Sequence, residues 1–169
     1  MRLPKLAKNM EKTDSQSYYE SLPKKPMAAG VLLFNEKDEL LIVKPNYRDY
    51  WLLPGGIVEE NESPKAAALR EVKEEINIDL ESLRFLAVDY KSPTEGSGEG
   101  MEFVFDGGHL SPALIDRIVL QEKELDEYKF ASIEEALALL NVYLSKCVAK
   151  ALEGIKNIAP VYLENEELA

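Results

Sequence analysis

Three glutamates and one arginine crowd the end of a single predicted helix, in the stretch AALREVKEEINI. Glu71 lies three residues before Glu74 and four before Glu75, so on a helix the three side chains project from neighbouring positions. Each like-charge pair costs about a few tenths of a kcal/mol, and the helix dipole disfavours anions in the last turns. A cluster that weakens an otherwise well-made helix is typical of a functional site.

Carboxylates gathered in this way suit a hard divalent cation. Mg²⁺ and Mn²⁺ prefer oxygen ligands, which carboxylates supply. The alternative is a solvated face on an acidic protein, because the chain has a net charge of -11. A Pro-Gly-Gly turn at residues 54–56, just before the helix, and the adjacent Arg70 favour a site. The sequence therefore predicts that this cluster binds Mg²⁺ or Mn²⁺.

The helix that carries the cluster has clear ends. Ser63 is a good N-cap, and Pro64 suits the first helical position. Asn77 stands where a left-handed residue ends many helices, a place that glycine fills most often and asparagine next. The apolar positions that would face the core are Leu69, Val72 and Ile76. We therefore predict a helix over 63–77 with the acids on the side away from its apolar stripe.

The whole stretch resembles the Nudix box, the signature of hydrolases that act on a nucleoside diphosphate linked to another group. Gly56 is followed after five residues by Glu62, and after seven more by Arg70 and Glu71. The positions that complete the pattern are Val72, Glu74, Glu75 and Ile78. The match covers 23 residues, and eight of nine defined positions agree. Asn77 replaces the glycine of the pattern, and asparagine tolerates the same left-handed backbone.

The resemblance implies a role for each residue of the box. Glu71, Glu74 and Glu75 correspond to the metal-binding carboxylates, and one of them would also orient the attacking water, with Glu71 named as catalytic. The carbonyl of Gly55 would supply a further oxygen ligand. Arg70 would hold the acid cluster in place, with contact to a phosphate oxygen as the alternative. The residues that would support the site structurally are Gly56 and Glu62, the latter by locking the loop to the helix.

The resemblance also implies one more acid, downstream of the box, that serves as ligand or base. Glu124 in QEKELDEYKF is the first candidate, and Glu122 and Glu127 are the alternatives. No substrate-binding residue can be named from the sequence. Two other residues carry open alternatives: Trp51 as core packing or base stacking, and Pro93 as a turn proline or a substrate-class marker. For His109 we favour a loop residue over a substrate contact, and for Cys147 a packed thiol.

The elements around the box predict an α+β protein, which the resemblance makes a Nudix-type α/β/α sandwich with a mixed central sheet. A short helix is predicted around 15–21 and further helices at 132–140 and 142–155. Strands are predicted at 28–35, 39–44, 83–91, 101–108, 117–120 and 128–132. We expect an N-terminal extension over 1–26, the Nudix domain over 27–155, and a C-terminal tail over 156–169 whose last residues fray.

Composition limits the partners. The acidic charge repels nucleic acid and anionic lipid, although a bound metal can reverse the sign locally. A single cysteine, Cys147, forms no internal disulfide, and no apolar run approaches the roughly 20 residues of a membrane span. We therefore expect a cytoplasmic protein that acts on a small molecule, with a homodimer left open.

The resemblance implies a Mg²⁺-dependent pyrophosphohydrolase that cleaves the phosphoanhydride of a nucleoside diphosphate derivative by water attack at phosphorus. The substrate would be a nucleoside triphosphate, a nucleotide sugar or an ADP-ribose-like compound. The alternative is a Nudix-fold nucleotide-binding or regulatory module without hydrolysis. Such modules usually lose acids of the box, and this chain keeps all of them. A purely structural acidic domain would make the box a coincidence.

Overall fold

A mixed sheet organises the chain, seen in a computed structural model that describes residues 12–96, 98–157 and 159–169. The strands are β1 Met27–Phe34, β2 Leu40–Pro45, β3 Gly55–Ile57, β4 Arg84–Lys91, β5 Gly100–His109, β6 Leu125–Ala131, β7 Val161–Glu164 and β8 Glu167–Leu168. The helices are α1 Lys12–Ser21, α2 Pro64–Ile76, α3 Pro112–Ile115, α4 Ile133–Leu139 and α5 Val142–Asn157. The first eleven residues of the predicted extension lie outside the described part.

The sheet runs in the order β6-β2-β1-β5-β4-β7-β8, and β3 pairs with β1 beside this path. The β1–β5 and β4–β7 pairs are parallel, and the other pairs are antiparallel. The predicted mixed sheet is therefore confirmed. The pairing of β3 with β1 brings the Gly-Gly turn against the sheet, directly before α2.

Alternation along the strands divides the core into two layers. In β1, Val31 and Leu33 face a cluster that contains Val72 and Ile76 of α2. Their neighbour Leu32 faces the opposite cluster, which holds the buried residues of α4 and α5. Because successive strand residues point to opposite faces, this sequence requires a covering helix on each side. The α/β/α sandwich predicted from the resemblance is confirmed.

Helix α2 begins and ends as its sequence predicts. The Ser63 hydroxyl accepts a hydrogen bond from the amide of Ala66 at 3.2 Å, and Pro64 is the first helical residue. At the other end, Asn77 is left-handed with φ 59° and ψ 28°, and its amide donates to the carbonyl of Lys73. The caps fix the length of the helix, and so the place where the acids stand.

Two predictions about the sheet are wrong. Residues 117–120 form no strand; the amide of Val119 donates to the carbonyl of Ile76 at 3.3 Å, and that of Gln121 to the carbonyl of Glu75 at 3.0 Å. The segment therefore satisfies carbonyls that the end of α2 leaves free. The last residues do not fray, because β7 and β8 extend the sheet and Leu163 is fully buried.

The short helix predicted around 15–21 is confirmed and begins earlier, at Lys12. Three elements were absent from the prediction: β3, α3 and the β7–β8 hairpin. Among the described residues, no helix is both long enough and apolar enough to span a bilayer.

Candidate active site

Arg70 is the centre of the predicted acid cluster, and all five of its N–H groups have partners. Nε and Nη2 bond the two carboxylate oxygens of Glu62, each at 3.0 Å. Nη1 donates to Glu71 at 2.8 Å and to Glu74 at 3.1 Å, and Nη2 also donates to the carbonyl of Ile57 at 3.2 Å. These acids raise the pKa of the guanidinium, Glu62 most of all. Such engagement favours a role in holding the cluster over contact with a phosphate.

Glu62 connects the loop to the helix from the other side. Besides its bidentate bond to Arg70, it accepts the amide of Glu59 at 3.1 Å. The hydrogen bond from Arg70 is the largest influence on its carboxyl and lowers the pKa. Glu62 thus joins the loop to the helix by hydrogen bonds, and its role in supporting the site stays a prediction.

Glu75 is the buried member of the cluster, with only 7% of its surface exposed. Its Oε2 accepts a hydrogen bond from the amide of Gly55 at 2.8 Å. Burial raises the pKa of Glu75 to about 8 against this hydrogen bond, and the charges of Glu71, Glu124 and Glu74 raise it further. A nearby cation would offset the cost of charging this buried carboxylate, so the environment of Glu75 suits a metal ligand.

The two glycines of the turn are held by contacts that exclude a side chain. A Cβ on Gly55, where φ is +149°, would overlap the carbonyl oxygen of Ala29. A Cβ on Gly56 would lie 2.5 Å from the carboxylate of Glu71. Gly56 thus leaves room for the Glu71 carboxylate. The amide of Gly55 is engaged by Glu75, and the metal-binding role of its carbonyl stays a prediction.

Glu124 approaches the cluster from the loop before β6. Its backbone carbonyl accepts the amide of Asn46 at 2.9 Å, and its charge raises the pKa of both Glu71 and Glu75. Burial is the largest cause of the raised pKa of Glu71, against the nearby Arg70. The structure therefore brings the downstream acid near the helix acids. The alternatives lie elsewhere on the same stretch, Glu122 in the preceding turn and Glu127 within β6.

The donor chemistry of the site fits a divalent metal. Glu71, Glu75 and Glu124 bring mutually unfavourable negative charge together, and Arg70 is the cation bonded into the cluster. Over the described ranges, however, no group of three His, Cys, Asp or Glu side chains is arranged to hold a metal ion. Arg70 engages Glu71 and Glu74, and the Gly55 amide engages Glu75. Metal binding therefore requires these carboxylates to exchange such contacts for the ion.

The remaining sequence candidates fall outside the cluster. Trp51 is half-buried against the α5-side core, with Lys129 Nζ 5.8 Å from its ring centre, so packing explains it. Cys147 is fully buried, and burial raises the pKa of its thiol to about 12, as expected of a packed cysteine. His109 ends β5 and bonds Asp38 at 2.8 Å. Pro93 is exposed in the loop after β4.

Sequence reasoning missed a cleft beside the site. A cavity of about 230 Å³ begins at Gly55 and Gly56 and is also lined by Glu102 of β5. Glu102 forms an ion pair with Lys91 of β4, Nζ to Oε2 2.6 Å. The signal was present in MEFVFDGG, where Glu102 lies two residues before the buried Val104 and therefore shares its face of the sheet.

Comparison with known proteins places the chain in a family. The family model described as the NUDIX domain matches residues 24–151. An "ADP-ribose pyrophosphatase" of Bacillus subtilis (strain 168) is 30% identical over 132 residues, 75% of this chain and 66% of that protein. An "RNA pyrophosphohydrolase" of Hydrogenovibrio crunogenus is 39% identical over 57 residues, 34% of each chain. The chain thus spans between a third and two thirds of these two curated relatives.

Solved structures agree. The MutT protein of Methanosarcina mazei Go1 is 27% identical and superimposes with a TM-score of 0.63, over 82% of this chain and 99% of that one. The NUDIX domain of Shewanella oneidensis NrtR, solved with ADP ribose, shares the fold at 18% identity with a TM-score of 0.68, over 86% of this chain and 99% of that one. The chain belongs to the NUDIX family, and the two curated relatives above are named as a pyrophosphatase and a pyrophosphohydrolase.

Proposed function

We propose that this protein is a divalent-metal-dependent pyrophosphohydrolase that cleaves the phosphoanhydride of a nucleoside diphosphate derivative. The substrate is a nucleoside triphosphate, a nucleotide sugar or an ADP-ribose-like compound, and Mg²⁺ or Mn²⁺ is the metal. Water attacks at phosphorus. The net charge of -11 favours a small substrate over RNA, and we place the reaction in the cytoplasm.

One observation carries the proposal: the carboxylates of α2 are assembled against the Gly-Gly turn at the mouth of a cleft. Glu71 lies against Gly56, and Glu75 against the amide of Gly55. Both glycines line the adjoining cavity of about 230 Å³. A diphosphate that enters this cavity reaches the acids of α2. Without a metal ion between them, the negative charges of the diphosphate and the acids would repel each other.

We assign the metal to Glu71, Glu74 and Glu75, with the carbonyl of Gly55 as a further ligand. When bound, the metal neutralises phosphate oxygens and lowers the pKa of a coordinated water. Glu71 then orients the water, and Glu124, which approaches the same acids, serves as base. Arg70 holds the acids in position through hydrogen bonds from its guanidinium group. The leaving group is a phosphate, a stable anion that needs little protonation.

Turnover of a panel of diphosphates tests the proposal. Nucleoside triphosphates, nucleotide sugars and ADP-ribose are incubated with Mg²⁺, and in parallel with EDTA. We expect hydrolysis of at least one compound and none under EDTA. In ¹⁸O-labelled water the label should enter a phosphate product, because attack is at phosphorus.

Matched variants separate the site from the general acidity of the chain. Glu71→Gln should lower the rate by about two to four orders of magnitude without changing the fold, whereas Glu60→Gln, an exposed acid in the preceding loop, should leave it unchanged. Label in a sugar hydroxyl would indicate carbon–oxygen cleavage and overturn the mechanism. A folded, metal-loaded protein that binds these compounds and turns over none would instead be a nucleotide-binding module.

A further inference from the structure

The cleft beside the acids continues well past the Gly-Gly turn. The cavity at Gly55 and Gly56 shares Ala28, Ile57 and Glu102 with a second cavity of about 240 Å³, which extends to Lys91. We call these two adjoining cavities the distal cleft. Together they approach the size of small-molecule sites in proteins. A group attached to a phosphate at the acids would lie here.

An ion pair between neighbouring strands lines the distal cleft. Lys91 Nζ lies 2.6 Å from Glu102 Oε2, and the two side chains are 32% and 20% exposed. The pair is thus partly withdrawn from water, yet open to the cleft. It presents a hydrogen-bond donor and a carboxylate acceptor side by side.

A buried carboxylate stands behind this pair. Asp89 is fully buried and accepts the amide of Glu166 through Oδ1 at 3.1 Å. Its Oδ2 has no hydrogen-bond partner within the described part of the chain. Lys91 and Asp89 are close enough for their charges to stabilise each other. Because the Lys91 ammonium has three donors, its charge can stay paired with Asp89 while it also donates to a ligand that engages Glu102.

The C-terminal hairpin lines a third cavity, next to Lys91, and lies beyond the residues matched by the family model. Asn165 and Glu166 both adopt left-handed conformations, with φ of 54° and 65°. Asn165 bonds the carbonyl of Tyr90 and the amide of Ser92, each at 2.9 Å. Two successive non-glycine residues keep a left-handed backbone only where the surrounding structure holds them in it. They bring Glu166 to the cavity that Lys91 also lines.

The distal cleft is therefore lined by two carboxylates, those of Glu99 and Glu102, beside Lys91. We propose that it binds the guanine base of the substrate, Glu102 accepting from the N1–H and N2–H groups and Lys91 donating to O6. Guanine offers two adjacent donors to the two carboxylate oxygens, whereas adenine and cytosine each offer a single amino group beside ring acceptors. This inference rests on the proposed function, because it names the nucleobase of that substrate.

The opening of the cleft has surfaces that suit a flat ring. Ile57 and Tyr47 line the cavity at the Gly-Gly turn, and each is 63% exposed. A base seated between them and the Lys91–Glu102 pair would cover this apolar area. Its ribose and phosphates would point back toward the acids of α2.

Binding of free nucleosides tests the base assignment without phosphate, metal or hydrolysis. Guanosine, inosine and adenosine are titrated by NMR against the full chain in EDTA. Inosine lacks only the 2-amino group of guanosine, so guanosine should bind about tenfold or more tightly than inosine. Adenosine should bind more weakly than guanosine. Equal affinity for guanosine and inosine would overturn the proposal.

Three variants locate the effect. Glu102→Gln should bring the guanosine-to-inosine ratio to about one, because a single amide oxygen replaces the two acceptors. Lys91→Met should weaken both nucleosides equally, since both carry O6, and so preserve the ratio. Asp106→Asn, which removes the partner of Arg84 farther along β5, should change neither affinity.

The outcomes distinguish the two proposals. A ratio that stays high in Glu102→Gln would place the 2-amino group elsewhere and overturn the assignment. If Glu102→Gln fails to fold, the Lys91→Met variant still tests the assignment. A loss of guanosine binding in that variant without an equal loss of inosine binding would also contradict the assignment. A protein that selects guanosine but hydrolyses no diphosphate would overturn the proposed function alone.

Discussion

Replacing Glu75 by glutamine should stabilise the metal-free protein, and increasingly so as the pH rises. Glu75 is 7% exposed, and burial raises the pKa of its carboxyl from 4.5 to about 8. The folded state therefore holds a proton that the unfolded state releases near pH 4.5. That contribution to stability is complete below the unfolded pKa and is lost as the pH rises through the folded pKa.

The magnitude follows from the shift. Each pKa unit corresponds to about 1.4 kcal/mol, so the displacement sets an upper bound of roughly 5 kcal/mol on the cost of the charge above pH 8. Relaxation of the site and water penetration reduce such costs, and we expect Glu75→Gln to gain about 2–4 kcal/mol over the wild type at pH 8.5. At pH 4 the two proteins should differ little. Glutamine can still accept the Gly55 amide, so that hydrogen bond survives.

Urea unfolding in EDTA from pH 4 to 9 measures the difference, with Glu81→Gln as an exposed control for the loss of one charge. Added Mg²⁺ should stabilise the wild type and do much less for Glu75→Gln, because a ligand that binds only the folded state raises its stability. Parallel pH curves for the two proteins, or a variant that is less stable at pH 8.5, would refute the reasoning.

Two further predictions concern backbone positions. Gly56→Ala should reduce turnover at least about tenfold and leave the melting temperature within a few degrees, because the new Cβ, 2.5 Å from Glu71, displaces a flexible carboxylate. Gly55→Ala, whose Cβ would strike backbone, should lower the melting temperature clearly, so equal melting of the two variants would contradict the distinction. Asn77→Gly should change the free energy of unfolding by less than about 1 kcal/mol in urea titrations, since φ is 59° and the hydrogen bond from Lys73 to its side chain, at 3.0 Å, is exposed. A larger loss would show that this bond contributes more than its exposure suggests.

Local chemistry explains why so much of α2 could be predicted. Ser63, Pro64 and Asn77 fix its ends through interactions with neighbours in sequence, and the spacing of the acids follows from the helix itself. The strand that failed, at 117–120, has an apolar β-branched pattern, but the amide of Val119 bonds the end of α2, and those of Arg117 and Ile118 bond carbonyls of α3. Such tertiary pairing leaves no signal in the local sequence.

The distal cleft illustrates the same limit. Lys91 and Glu102 are eleven residues apart and meet because β4 and β5 pair with Asp89 opposite Glu102. Glu166 reaches Asp89 only because β7 lies parallel to β4, a pairing that joins segments more than seventy residues apart. The register of a long-range pair depends on the whole sheet, so these residues could not be grouped from the sequence.

The contacts of the acid cluster explain how a site so unfavourable for charge can stay folded without metal. Glu71 and Glu74 are held by Arg70, and Glu75 by the Gly55 amide. Each contact engages an oxygen that a cation would need, so the metal must compete with partners already in place. Because those partners are fixed by Glu62 and by the β1–β3 pairing, the carboxylates have little distance to move when they exchange them. If these acids hold the metal as proposed, the arrangement would keep them assembled before it arrives, and the cost of burying the Glu75 charge would favour the ion once bound.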